Sequence, residues 1–450
     1  MGNLQVGFSR IDITPKLGIE LYGYYETRVS NRVADPLLLS TLALQQNDTK
    51  ILVMSVDHCG ITQNIIANYH RHISETTGIA ENQIYIHATH IHTGPYLVNR
   101  KEVTNGPTNI INTNPGDAQK QLQQEYYEFL YEKMAEGAAL ALQNLAPATL
   151  SIGVGEAPGI GFIRRFRMKD GSVQTNPGVG NPNIKEPIGQ VDHRVSVLKF
   201  TRENGNIVLF HYGNHPDVIG GCEISADWPG HARRILEETL PNTQGIFFNG
   251  TMGDVNHINV NADSLWGGAE HSRYMGQVVA GGVLQALENL PDAPTDRLTC
   301  VIKPIHVPSN MPEKEDLAEA HRINDLHLAG RDDEIPFEGM RKVTDIARAA
   351  RMVRLEHGPE AFQMNLSAVA IGNVVLLGIP GQHFSCAGLD MKANPGFEMI
   401  LPISQVNGSE GYFPPMSAYA EGGYEAAASN FKAGVSELLT TDSAKLLKTL

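Results

Sequence analysis

The sequence predicts an α/β protein, a mixed β-sheet sandwich flanked by helices, and three observations carry that expectation. Three segments, TLALQQNDTKILVMSVD, SVLKFTRENGNIVLFHYGNH and LSAVAIGNVVLLGIPGQH, each read as two β-branched runs joined by a turn, which is the pattern of a hairpin. Between them, apolar residues recur at helical spacing from Gln63 to Thr77, Leu122 to Leu145, Gly230 to Leu240 and Met275 to Leu290. The chain has 450 residues, 42% of them hydrophobic, so it can bury a large core without staples.

The first hairpin ends in Asp57-His58, the second in Gly213-Asn214-His215-Pro216 and the third in Pro380-Gly381-Gln382-His383. A rigid sheet could hold all three loops at one edge, where binding residues commonly sit. From Gly155 to Asp192 the chain is rich in Gly, Asn and Pro and offers little to bury; a loop of that length is usually functional or disordered. The block at about residues 312–357 alternates in charge sign and reads as a solvated helical insertion. With no internal repeat and no clean linker, one catalytic domain over 1–450 is expected.

Composition narrows the partners. Lys and Arg number 35 against 49 Asp and Glu, for a net charge of −14 with no dense basic run, which argues against nucleic acid. Cys59, Cys222, Cys300 and Cys386 lie far apart without a CxxC pair, so neither a disulfide framework nor a thiolate zinc site is expected. The longest apolar stretch is broken at Gly372-Asn373, short of the roughly 20 residues of a membrane helix. The opening residues lack a signal peptide's pattern, as would a mature chain whose signal had been removed. The expectation is a soluble protein without a transmembrane segment, cytoplasmic or exported, acting on a small-molecule substrate.

The sharpest local feature is IYIHATHIHTGP at 84–95, an apolar run ending in His90-x-His92 and a Gly-Pro turn. In an extended strand, residues two apart point the same way, so both imidazoles would face one cavity, and imidazole is a common ligand for zinc and similar metals. A lone HxH is more often a pair of hydrogen-bonded surface histidines; His215, just after a strand and followed by proline, and His211 on the same strand face strengthen the metal reading. The turn FFNGTMGDVNH at 247–257 carries Asn249, Thr251, Asp254, Asn256 and His257 among glycines, which let backbone amides approach a ligand. Tyr412 and Tyr424 sit in a Gly- and Pro-rich segment and would ordinarily pack their rings and expose their hydroxyls.

Taken in order, these pieces resemble the catalytic domain of the neutral/alkaline non-lysosomal ceramidases. The landmarks are IDITP at 11–15, Asp57, THIHTGP, Arg164-Arg165, His215-Pro216, NGTMGDVN, Ile379-Pro380-Gly381, Tyr412 and GGYE at 422–425. The resemblance implies a zinc-type metallohydrolase in which His90, His215 and Tyr412 hold zinc or another divalent metal. Gln382 stands where the family has a glutamate ligand; a neutral amide binds metal more weakly, and His383 or Asp254 could be recruited beside it. It further implies that His92, Arg164 and Tyr424 line the reacting centre. Asn256 falls where the family has a serine and can only hydrogen-bond. No counterpart of the ceramidases' immunoglobulin-like C-terminal domain is expected within residues 1–450.

These departures point away from ceramide and toward a small polar amide, or ester, opened by a metal-activated water. Two rival readings stand beside that one. The first is a metal-dependent lyase or isomerase acting on a carbohydrate, with His92, His257 or Tyr424 as base; the second is an inactive ligand-binding homologue.

Overall fold

The computed structural model describes residues 4–99 and 115–450, and each expected hairpin forms, but in three different sheets and not along one edge. The first sheet joins β1 (Gln5–Asp12), β2 (Leu38–Gln46) and β3 (Thr49–Val56) antiparallel; helix α1 (Gln63–Thr77) then leads to β4 (Ile84–Ala88), parallel to β3. After α2 (Asp117–Gln143), the second sheet repeats the scheme with β5 (Thr149–Glu156), β6 (Arg194–Thr201) and β7 (Asn206–Tyr212), helix α3 (Asp227–Thr239) and the parallel β8 (Thr243–Asn249). It is followed by α4 (Gly268–Leu287). The third sheet contains β9 (Leu298–Pro308), β10 (Ala361–Ile371), β11 (Val374–Gly378) and the parallel β12 (Met399–Ile403). Helices α5 (Leu317–Leu328) and α6 (Gly339–Leu355) interrupt it between β9 and β10, and α7 (Ser385–Lys392) crosses from β11 to β12. The chain closes with α8 (Met416–Glu421), α9 (Tyr424–Ala428) and α10 (Val435–Leu447).

One topology, three antiparallel strands and a helical crossover to a parallel fourth, thus occurs three times without any repeat in the amino-acid sequence. Binary patterning explains how unlike sequences build it. Ile51 and Val53 of β3, Leu198 and Leu209 of the second sheet, and Val369, Leu376 and Leu401 of the third belong to one shared apolar cluster. The alternate residues face the other way: Leu52 and Met54 meet α1 and α2, Val197 and Phe210 meet α3 and α4, and Ala368 and Leu377 meet α7 and α10. Strands covered on both faces read as nearly continuous apolar runs, as the hairpin segments do. The α/β class with helices flanking mixed sheets holds, and the layers are three sheets about a common core.

Local expectations fared unevenly. Helix α1 has the limits its periodicity gives, whereas α3 begins three residues earlier than expected, at Asp227. The segment 155–192 is structured: Arg165–Met168 pairs with Val173–Thr175 and Ile184–Pro187, Phe162–Ile163 pairs with Val255–Asn256, and Arg165 is fully buried. Turn-rich composition concealed these short strands because pairing supplies order that local propensity does not.

Buried polar contacts tie the sheets together. Asn249 donates its backbone N–H to His87 Nε2 at 3.1 Å, and Ser55 Oγ donates to the Phe247 carbonyl at 2.7 Å, joining the first sheet to the second. His211 Nε2 donates to the Pro402 carbonyl at 2.9 Å, joining the second to the third. Asn407, at φ 51°, closes the circuit: its Oδ1 accepts from Ile86 N at 3.0 Å and from His70 Nε2 at 3.2 Å, and its Nδ2 donates to Ser367 Oγ at 3.0 Å. Asn407→Ala leaves several buried groups unpaired and should cost about 2–4 kcal/mol of unfolding free energy, read by urea titration. A loss below about 0.5 kcal/mol would show that the junction is not structural.

Burial pushes His58 and His70 down to about 4, below the ordinary histidine value of about 6.5. Folding therefore favours their neutral forms. The associated stability is present in full above the unfolded value and is lost as pH falls through the interval toward the folded one. Unfolding free energy should drop by about a few kcal/mol between about pH 7 and about pH 4.5; a flat profile would contradict the neutral burial of these rings.

Candidate metal centre

The loops that follow the third and fourth strands of each sheet converge at one place. Strand β4 stops at Ala88, so His90 and His92 do not sit on an extended strand as expected. His90 instead takes a left-handed conformation, φ 73°, uncommon for a residue with a Cβ and frequent at functional sites. Hydrogen bonds hold it there: His90 N donates to the His58 carbonyl at 2.8 Å, and His92 N donates to the Pro216 carbonyl at 3.1 Å. The reversal brings both rings to the same cavity by a turn where alternation had been expected. His215 comes from the loop after β7, and its ring centroid lies 5.1 Å from that of His90 and 5.9 Å from that of His92.

Backbone contacts set the tautomers. His90 Nδ1 donates to the Cys59 carbonyl at 2.5 Å, and His215 Nδ1 donates to the Val255 carbonyl at 2.8 Å. Each Nε2 therefore carries a lone pair, an arrangement that commonly fixes metal-ligating histidines. His90 Nε2 and His92 Nε2 lie 3.3 Å apart, which assigns the shared hydrogen to His92 Nε2. His215 Nε2, His92 Nδ1 and Gln382 Oε1 are buried with no partner among the described residues. Burial pushes the His90 ring down to about 4, opposed by its bond to Cys59, and His92 down to about 3, helped by His90; His215 is pushed lower as well, by burial and then by Arg164 and His90. Neutral rings with free lone pairs are what a cation needs.

Gln382 and Tyr412 sit opposite each other in a short parallel bridge, Gln382–His383 against Tyr412–Phe413. Both line a cavity of about 100 Å³ together with His90, His92, Cys59, Tyr22, Gly23, Tyr24, Tyr25, Tyr424 and Arg354. Arg164 forms the wall behind the tyrosines: its Nε donates to Glu425 Oε1 at 2.7 Å, its Nη2 donates to the Gly253 carbonyl at 2.7 Å, and its guanidinium lies 5.4 Å from the Tyr412 ring and 6.0 Å from that of Tyr424. Burial disfavours the Arg164 charge, yet Tyr412 and Glu425 outweigh it and hold the group firmly protonated. The Tyr412 ring centroid lies 5.6 Å from that of Tyr424, and the Tyr424 ring 6.5 Å from that of Tyr25.

Several residues from the sequence reading stand elsewhere. Asn256 Nδ2 donates to Asn176 Oδ1 at 2.9 Å and its Oδ1 accepts from Ile258 N, so its amide serves the neighbouring loop. His211 is spent on Pro402. Asp254 accepts from Ser385 N and Oγ, and His383 Nδ1 lies 3.3 Å from Ser436 Oγ; neither supplements Gln382. His257 pairs with Asp217 at 3.1 Å. Cys59 Sγ and nitrogens of His90 and His92 lie within 4.8 Å of one another, a cluster that cysteine spacing did not reveal. Burial raises this thiol to about 12, and His90 Nδ1 already serves the Cys59 carbonyl. The residues missed were Tyr22, Gly23, Tyr24 and Tyr25; a YGYY run is itself a signal of a built wall. A Cβ on Gly23, at φ 119°, would fall 2.7 Å from the His92 ring, so glycine there lets the backbone lie against it.

Fold and site together define an α/β protein with a buried histidine pocket at the junction of three sheets. The chain has the neutral-ceramidase fold. It matches a crystal structure of neutral ceramidase from Pseudomonas aeruginosa with a TM-score of 0.74 at 14% identity, over 100% of this chain and 75% of that one. A ceramidase complexed with C2 matches with a TM-score of 0.74 at 13% identity, over 100% of this chain and 76% of that one. No protein-family model matches the sequence, and no curated protein matches it. None of the helices among the described residues is long and apolar enough to cross a membrane.

Asn249 clamps the two histidine loops, its Nδ2 donating to the Thr89 carbonyl at 3.1 Å and the Asn214 carbonyl at 3.0 Å. Asn249→Ala should weaken zinc retention by about tenfold to a hundredfold in a competitive chelator titration, the usual effect of removing a group that orients ligands. Unchanged retention in a folded variant would remove Asn249 from the site.

Proposed function

We propose that this chain is a divalent-metal-dependent hydrolase that opens the amide, or less readily the ester, bond of a small polar substrate. One observation carries the reading: two buried histidines, each oriented through Nδ1 by a backbone carbonyl, present Nε2 lone pairs beside the unpartnered Oε1 of Gln382. The likeness in fold to neutral ceramidases supports it. His90, His215, Gln382 and Tyr412 would hold the metal. A divalent cation there, zinc or another transition metal, supplies a Lewis acid that polarises a carbonyl and makes water more acidic.

The chain's own groups divide the rest of the work. His92, neutral at ordinary pH, presents its Nε2–H toward a substrate carbonyl once His90 Nε2 is engaged. Tyr424 stays protonated because burial raises it well above the usual tyrosine value, so its hydroxyl can donate to an oxyanion or to the departing nitrogen. Arg164 holds a fixed positive charge against Tyr412 and Tyr424, stabilising negative charge that gathers there. Asn256 holds the 176 loop and stays out of the chemistry. A carbohydrate lyase or isomerase would leave the oxygen of labelled water out of an acid product, whereas hydrolysis incorporates it.

Purified protein equilibrated with zinc should retain about one equivalent by elemental analysis, as expected of a single closed set of ligands, and a His90→Ala/His215→Ala variant should retain none. Gln382→Glu, which restores a carboxylate, should bind zinc at least about tenfold more tightly than the natural glutamine. Retention unaffected by the double substitution would defeat the site, and metal without chelator-sensitive amide turnover would defeat the reaction.

A further inference from the structure

The helical block that reads as a solvated insertion supplies part of the cavity wall. Ala347, Ala350 and Arg354 of α6 line the same cavity as His90, His92 and Gln382. The two alanines keep that helix face low, so Arg354 is the only ionised side chain it brings to the opening among the described residues. The Arg354 guanidinium donates from Nη2 to Asn430 Oδ1, a neutral amide. Its Nε is buried without a partner. The groups that act on its charge favourably are the hydroxyls of Tyr25 and Tyr22, and burial works against it. The nearby cations Arg351 and Arg348 are occupied elsewhere, Arg351 with the Ala427 and Asn310 carbonyls and Arg348 with Asp345. Among the described residues, no carboxylate pairs with Arg354.

Among the arginines set into the protein near the site, Arg28 and Arg351 also lack a carboxylate but spend their guanidinium groups on backbone carbonyls, and neither lines the cavity as Arg354 does. Arg164 and Arg165 share Glu425, and Arg233 has Asp57. Burying a cation without a counter-charge is costly, and the cost is offset when an anion arrives from outside. Guanidinium is also the side chain best shaped to receive a carboxylate.

We propose that Arg354 is a specificity residue that receives a carboxylate carried by the substrate, so that the cavity selects a small amide with a free acid at one end. The inference rests on the hydrolase reading for the reaction, but the binding it describes can be measured without turnover. The scissile carbonyl would lie toward His92 and Gln382, and the acid would lie toward α6 between Tyr22 and Tyr25. A cavity of about 100 Å³ suits an acylated amino acid of the smallest kind.

Levulinate, the ketone counterpart of N-acetylglycine, carries the acid but has no bond to hydrolyse. Titrated calorimetrically into zinc-equilibrated protein, it should bind at least about tenfold more tightly than the neutral alcohol in which a hydroxymethyl group replaces its carboxylate, the margin expected of a charge-assisted hydrogen bond. Arg354→Gln should abolish that preference, and Arg354→Lys should retain part of it. Equal affinity for the two ligands, or a preference that survives Arg354→Gln, overturns the proposal. Turnover of N-acetylglycine and of N-methylsuccinamate then tells whether the acid sits on the amine side or the acyl side of the bond. Loss of the hydrolase reading would show separately, as absent metal or absent amide turnover with levulinate binding intact.

Discussion

The site depends on burying one apolar face of three sheets in a single shared core. Each sheet must bring its inward strands to the same centre, and the loops leaving those strands then have little freedom in where they end. The loops after β3, β7 and β11 deliver His58, His215 and Gln382, those after β4 and β12 deliver His90 and His92 and Tyr412, and β8 ends in the Asn249 clamp. Residues from positions as far apart as 90, 215, 382 and 412 can gather because three hydrophobic faces cannot be hidden separately. Hydrophobic burial is non-directional, so the exact seating falls to the directional bonds at the sheet junctions, those of His87, His211, Asn249 and Asn407.

Electrostatics in the pocket follow from the same enclosure. Burial holds the histidines neutral and the tyrosines protonated, while Arg164 keeps its charge because Glu425 and the tyrosine hydroxyls are fixed beside it. Gln382 is a neutral amide and brings no negative charge to the cavity. Arg354 brings a positive charge to the same cavity, with no carboxylate paired to it among the described residues. In the reading proposed above, the neutral Gln382 and the charge of Arg354 together favour a substrate that carries its own acid.

How legible these features are depends on whether they are local. The three hairpins, the limits of α1 and the residues His90, His92 and His215 can be picked out along the chain, because strand pairing across a turn and a histidine pair both leave short-range patterns, whereas Gln382 and Tyr412 stand out only through the ordered resemblance to the ceramidases. The reason for the HxH geometry cannot be picked out: His90 turns through a left-handed conformation that only its bonds to His58 and Cys59 enforce. Arg354 is equally hidden. Alternating charge along α6 looks the same whether the helix faces water or closes a cavity, and only packing against Tyr25 and the 424–430 segment decides between them.

The sequence by itself determined the α/β class, the helical and strand periodicities and the histidine pair at 90 and 92, since these follow from side-chain type and from spacing within one segment; the wider set of candidate ligands came from the resemblance to the ceramidases. Tertiary structure alone decided that three unlike segments share one topology and one core. It also turned Asn256, His211 and Asp254 away from the pocket and brought Tyr25 and Arg354 into it. Contacts between residues hundreds of positions apart depend on how whole sheet faces are buried together, and no local pattern along the chain encodes that choice.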